Sequence, residues 1–183
     1  MNILIVSDVS IEHVIGGAER VLREQTTGVA QKGHHVVVLT RRIQTHNSHY
    51  AYIQGVHEWR YDVNQNNAVS FLLSSIINAQ KLYKTLHKDT SFDLINYHQP
   101  VSAFAIHLTK ESKHIPKIYT CHSLSFEEYQ TRQLHRKKMA GPLFYLQKEL
   151  RKHIEKTCLA SCQKIIVLSQ YTCDKLMHAY KFL

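Results

Sequence analysis

The chain has 183 residues, of which 44% are hydrophobic and 20% charged, with a formal net charge of +9. That is the length of one ordinary domain, able to bury about two-thirds of its extended-chain surface without disulfide staples. No apolar stretch approaches the roughly 20 residues of a membrane span, and the opening Met-Asn-Ile-Leu-Ile-Val-Ser-Asp has no basic leader, so it reads as a strand and the expected location is cytoplasmic.

Strand-like and helix-like periods alternate from there on, the pattern of a parallel sheet wrapped by helices. Asn2 to Ser7 predicts a central strand, because Ile3-Leu4-Ile5-Val6 is apolar on both faces. The loop Asp8 to Ile15 leads to Gly16 and Gly17 and then to a helix from Ala18, which stops at Gly33 in a left-handed cap. His35 to Thr40 predicts the second strand. Tyr50 to Asp62, with Gly55 inside it, predicts a short strand, a turn and a further strand. From Ala68 to about His87 a long helix carries Val69, Leu72, Leu73, Ile76, Ile77, Tyr83 and Leu86 as an apolar face.

The second half repeats the alternation. Asp93 to Tyr97, Lys117 to Cys121 and Lys164 to Leu168 predict strands; Val101 to Lys113, Pro142 to Ser161 and Ser169 to Tyr180 predict helices. Gly141-Pro142 marks a helix start, with proline at a first helical position. Ser123 to Ala140 is helix-like in its acids and loop-like in its basic run, and both readings stay open. The expected fold is α/β, a Rossmann-like doubly wound parallel sheet of six or seven strands flanked by helices, in one domain over 1–183.

Such sheets bind ligands outside the carboxyl ends of their strands, where the winding reverses. The candidate site is therefore read from residues just after strands: Asp8 and the Gly16-Gly17 loop, His98, His122 and Ser169. A glycine pair opening a helix lets a phosphate or sugar approach the backbone amides, although a lone Gly-Gly serves equally as a structural turn. His122 is the candidate catalytic residue, as a hydrogen-bond donor to a substrate hydroxyl or departing phosphate; Gly16, Gly17, His98 and Ser169 are candidates for donor-phosphate or substrate binding. The dinucleotide fingerprint G-x-G-x-x-G and the P-loop are missing, and Thr40-Arg41-Arg42 stands where a ribose-binding acid is expected, which leaves a thin NADP reading.

The four cysteines, Cys121, Cys158, Cys162 and Cys173, contain no C-x-x-C pair and read as buried thiols. Cys158 and Cys162 share a metal only if Cys121 or His122 packs beside them, and no metal is expected. The basic excess concentrates in Arg132 to Lys156, which holds His135-Arg136-Lys137-Lys138 and Arg151-Lys152-His153. The first reading of that stretch is a solvated face, because Leu143, Leu146, Leu150, Ile154 and Cys158 form a core-facing stripe opposite it; the second is peripheral contact with an anionic membrane. Nucleic acid is not expected, since no aromatic residues interleave with the basic ones.

Ile15-Gly16-Gly17-Ala18-Glu19-Arg20-Val21, Lys32-Gly33-His34-His35-Val36-Val37-Val38, Phe92 to His98, Lys117 to His122 and Lys164 to Ser169 together resemble the N-terminal domain of family 4 glycosyltransferases of the GT-B fold. The resemblance implies a retaining, metal-independent, hexosyltransferase-like enzyme of glycan biosynthesis. Two Rossmann-like domains would face each other, the N-terminal one holding the sugar acceptor, a glycan or lipid-linked glycan, and the C-terminal one most of the nucleotide-sugar. It implies that Gly16 and Gly17 approach the donor diphosphate and that His122 contacts the transferring sugar. The family's C-terminal nucleotide site and its glutamate pair are not in these residues, so this chain is expected to be inactive without that half. The alternative is a stand-alone binding or partner subunit that pairs with a separate nucleotide-binding chain.

Overall fold

A computed structural model describes residues 1–135 and 141–181. The elements are β1 (Asn2–Val6), α1 (Gly17–Gln31), β2 (His35–Arg41), β3 (Tyr50–Ile53), β4 (Val56–Tyr61), α2 (Ala68–Asp89), β5 (Leu94–Tyr97), α3 (Pro100–His107), β6 (Lys117–Cys121), α4 (Ser125–His135), α5 (Pro142–Ala160), β7 (Lys164–Val167) and α6 (Gln170–Tyr180). They form a seven-stranded sheet in the order β3-β4-β2-β1-β5-β6-β7. Only β3 runs antiparallel, paired to β4 through a hairpin whose corner residues Gln54 and Gly55 both have positive φ.

β1 sits at the centre because both its neighbours bury it: Ile3 aligns with Val36 on one side and Leu94 on the other. The α1 side of the sheet buries Ile3, Ile5, Ile11, Leu22, Val36, Val38 and Val56, and the α2–α3–α5 side buries a larger cluster around Leu4, Val6, Tyr83, Tyr97, Ile106, Tyr119 and Leu159. Chain order leaves β1 toward β2 and leaves β5 toward β6, so the winding reverses between β1 and β5.

Several expectations change. The helix expected from Val101 to Lys113 ends at His107, because the Ser112 and Thr109 hydroxyls donate to Ile106 O at 2.8 and 2.7 Å and the buried Lys117 ammonium donates to Ser112 and Ile115 carbonyls. Ser123 to Ala140 is helical over α4; Arg136, Lys137 and Lys138 lie outside the described residues. The core-facing stripe on α5 holds only for Ile154 and Cys158. Leu143, Leu146 and Leu150 are exposed, because Phe144 turns inward to stack on Tyr129 at 5.6 Å and the next buried positions are Ile154, Glu155, Cys158 and Leu159. On α2, likewise, Ser75, Ala79, Tyr83 and Leu86 face the core, and Val69, Leu73 and Ile77 face out.

Two buried carboxylates tie elements together. Glu58 on β4 receives Ser10 Oγ and the Ile11 amide at 2.6 Å and Arg60 Nε at 2.7 Å, while Arg60 reaches on to Glu12 at 2.6 Å. Glu155 receives the Ser125 amide at the start of α4 and the Tyr180 hydroxyl from α6. Burial, opposed by those two donors, lifts its pKa to about 7.

Glu58→Ala leaves the buried Arg60 with Glu12 and the Ser48 carbonyl and strands the Ser10 hydroxyl and the Ile11 amide, and is expected to cost about 3–5 kcal/mol in urea unfolding, whereas Asp62→Ala, which removes exposed contacts with Arg42 and His49, costs under ~1 kcal/mol. Equal costs would mean that the loop does not depend on the buried pair. For Glu155 the folded pKa lies above the unfolded one, so its contribution is complete below the ordinary glutamate value of 4.5 and is lost as pH rises through about 7. Thermal melts from pH 5 to 8 are expected to show Glu155→Gln without that loss, the wild type falling relative to it by at most about 1.4 kcal/mol per pH unit; parallel curves would refute the assignment.

Candidate functional site

At the β1–β5 reversal the strand ends open into a cleft of about 350 Å³, lined by Asp8, Ala18, Glu19, Arg41, Phe71, His98, Gln99, His122, Glu128, Arg132 and Arg151, among others. Its floor is set by Gln99, whose side-chain oxygen accepts from Ser7 Oγ at 2.7 Å and from the Asp8 amide at 2.9 Å, joining the ends of β1 and β5. The loop after β1 is held from every side. Arg41 donates to Asp8 O, Thr40 to Val9 O, and Arg23 to both Ile11 O and Glu12 O.

His98 and His122 meet at the cleft, with His98 Nδ1 2.9 Å from His122 Nε2. The proton positions follow from the neighbours. Thr120 Oγ1 donates to Asn96 Oδ1 at 3.1 Å, which turns the Asn96 amide nitrogen toward His98 Nε2 at 3.2 Å. An amide nitrogen only donates, so His98 Nε2 accepts and His98 carries its hydrogen on Nδ1. That hydrogen goes to His122 Nε2, and His122 in turn carries its own on Nδ1, which has no hydrogen-bond partner among the described residues. Burial pushes His98 down to about 3, helped by the neighbouring His122. Burial also lowers His122, against the pull of Glu128 and Glu19. The pair is neutral at pH 7, and its remaining N–H, on His122 Nδ1, is buried in the wall of the cleft.

Three guanidinium groups share the cleft lining with His122. Arg41 lies over the Phe71 ring at 5.4 Å and Arg151 over Tyr129 at 4.8 Å; Arg132 donates to Glu128 at 2.9 Å. Burial lowers the Arg151 pKa and raises that of Asp8, which Arg41 opposes. A cleft with cations, a neutral N–H donor and carboxylates suits a ligand that combines phosphate with sugar hydroxyls.

The residues expected from sequence divide. His98 and His122 are brought together. Gly16 and Gly17 stand exposed at the start of α1, beside the cleft residues Ala18 and Glu19. The Gly16 amide is taken by Glu19 Oε2 at 3.1 Å, so an anion arriving there meets a carboxylate already in place. A side chain at Gly17 would meet nothing within 4 Å, so the fold itself places no demand for glycine there. Ser169 lies outside the cleft lining: its hydroxyl accepts the Thr172 amide and caps α6. Arg42 pairs with Asp62 on the surface. Cys158 and Cys162 donate to carbonyls of Pro100 and Cys158, and neither joins a metal-like cluster among the described residues.

Asp8, expected at the rim because it directly follows β1, lines the cleft, and so does Arg41, which the sequence offers only for an NADP ribose. Gln99, Arg132, Arg151 and Glu128 join them from separate elements and carry no local mark as site residues. A second cluster, Glu12, His13 and His46, gathers three metal-type ligand atoms within 4.8 Å. His46 Nδ1 accepts the Ile43 amide, so its hydrogen is on Nε2, and Arg60 already neutralises Glu12; the donor set suits an ion pair better than a cation.

Long-range ¹⁵N–¹H NMR of the histidines is expected to show His122 protonated on Nδ1 and unprotonated on Nε2 at pH 7, and His98→Phe is expected to release His122 toward the ordinary Nε2–H form. An Nε2–H His122 in the wild type would refute the chain of donors.

A family model described as Glycosyltransferase Family 4 matches residues 15–182. Sucrose-phosphate synthase from Thermosynechococcus elongatus superposes with a TM-score of 0.77 at 17% identity, over 98% of this chain and 45% of that one. A second, shorter structure titled as the same synthase gives a TM-score of 0.63 at 15% identity, over 100% of this chain and 82% of that one. This chain thus spans less than half the length of the first of these, and at such identities the likeness is one of fold. No curated protein matches.

Proposed function

The chain belongs to glycosyltransferase family 4, and from that premise we propose that it forms the N-terminal, acceptor-side domain of a retaining enzyme that moves a sugar from a nucleotide-sugar to a glycan or lipid-linked glycan. The observation that carries the reading is that His122, Arg41, Arg132 and Arg151 line one cleft at the winding reversal. Departure of a nucleoside diphosphate leaves negative charge on the phosphates, and guanidinium groups in a partly desolvated cleft stabilise it as it develops. The helix start at Gly17 adds backbone amides on the same rim, once the Glu19 carboxylate moves aside.

His122 is cast as donor to a hydroxyl of the transferring sugar. A neutral imidazole held in one tautomer keeps that role across the physiological range, because neither ring of the pair gains a proton there. Asp8, partly buried beside Arg41, is placed to accept from an acceptor hydroxyl. The proposed chemistry draws its electrostatic support from these side chains and amides and needs no metal. The nucleotide itself would be held by a second Rossmann-like domain facing the cleft, and without that domain the chain is proposed to be inactive.

Purified alone, the chain is expected to transfer no sugar from any nucleotide-sugar, and to regain transfer when joined to a family C-terminal domain. Turnover by the isolated chain would overturn the division of labour, and copurification with a separate nucleotide-binding chain would assign it as a partner subunit. In the joined enzyme Gly17→Val is expected to lower turnover at least about tenfold while changing stability by under ~1 kcal/mol, since the fold leaves its Cβ position open. Unchanged turnover would make the glycine pair a plain turn.

A further inference from the structure

α5 is built the opposite way round from its sequence reading. Its Arg151 lines the cleft and Lys152 lies over the Phe126 ring at 5.4 Å, while Leu143, Leu146 and Leu150 are 64, 66 and 43% exposed. The same arrangement recurs on α2, where Val69, Leu73 and Ile77 are 67, 54 and 49% exposed. Both helices belong to one layer, joined through α3 between them.

At ~100° per residue, Val69, Leu73 and Ile77 share an arc of roughly 120° with Lys81, Lys84 and Lys88, and no acid falls within it. Those three lysines are exposed. On α5 the leucines share an arc of roughly 140° with His153 and Lys156, against the single acid Glu149. On both helices the exposed apolar residues occupy the N-terminal half and the lysines of the same arc the C-terminal half, and Phe71 of α2 and Arg151, midway along α5, line the cleft.

We propose that this outer face docks on an anionic lipid surface, the apolar side chains of α2 and α5 entering the interface and the lysines lying against headgroup phosphates. A polar protein partner would not need both features on one face. A lipid surface does, because burying apolar groups and attracting anionic headgroups act together there. Docked in this way, the cleft mouth would sit at headgroup level, where a lipid-borne molecule arrives. The inference does not depend on sugar transfer, and its test needs neither donor nor second domain.

The test is co-sedimentation of the full chain with vesicles of phosphatidylcholine alone and with about one third phosphatidylglycerol, at low and high salt. Binding is expected on the anionic vesicles and to weaken with salt. Lys84→Gln is expected to lower the apparent affinity about fivefold, as ~1 kcal/mol per surface cation implies. The pair Leu146→Asp and Leu150→Asp is expected to lower it at least about tenfold, with an unchanged circular dichroism spectrum because both side chains are already exposed. Absence of binding, or binding that both variants leave untouched, would overturn the proposal. So would salt-sensitive binding that survives the leucine changes, which is attraction without insertion, or self-association lost in the leucine variant without any vesicle binding, which would give the face to a second copy of the chain.

Discussion

The segment from Asp8 to Glu12 follows the central strand, belongs to no ladder, and yet lies against the sheet, so its peptide groups need partners from elsewhere. Side chains provide them. Asp8 and Val9 carbonyls take Arg41 and Thr40 from β2, the Ile11 and Glu12 carbonyls take Arg23 from α1, and the Ile11 amide takes Glu58 from β4. Glu58 is the hinge of this arrangement because it is fully buried and holds Ser10, Ile11 and Arg60 at once. An ionised carboxylate without those donors would be expelled from such a place, and with them it sets where the loop leaves the sheet and where α1 begins.

The cleft is the consequence one step further on. With the β1 loop pinned to one side and Gln99 bridging β1 to β5, the chain can neither close over the strand ends nor pull away from them. The histidine pair then occupies the ends of β5 and β6, and the ordering of its protons descends from a hydroxyl and an amide inside the sheet, Thr120 and Asn96. Polar groups that deep are costly unless each donor finds an acceptor, and here the chain of donors ends at His122 Nδ1, which has no acceptor among the described residues. An unfilled donor at the end of an otherwise satisfied series is an invitation to a ligand oxygen.

The centre of the sheet was legible because β1 and β2 are buried on both faces and read as apolar runs, and the elements around it because Gly33, Gly55 and Gly141-Pro142 interrupt the chain where positive φ or a helix start requires it. His98 and His122 were legible as strand-terminal residues. What escaped was everything set by pairs distant in sequence. Arg41, Arg132 and Arg151 come from a strand and two helices, and Glu58 reaches a loop nearly fifty residues away. Ser169 shows the converse, a strand-end hydroxyl that caps its own helix and stands outside the cleft lining. Periodicity also misled on α5, since a stripe of leucines reports that a helix has an apolar side without saying what that side faces.

That last point joins the interior to the exterior. Phe144 stacked on Tyr129 fixes the roll of α5, and Arg151 lies over the same Tyr129 ring, within the cleft. Rotating the helix to bury Leu143, Leu146 and Leu150 would carry Arg151 and Lys152 out of their places beside Tyr129 and Phe126 and unseat Glu155 from Ser125 and Tyr180. The cost of exposing three leucines, about 25 cal/mol for each Å² of apolar surface, is therefore set against the cations and the carboxylate that the same rotation would strand. The cationic lining of the cleft and the apolar outer face are two results of one helix orientation, and a change that alters either should be felt at the other.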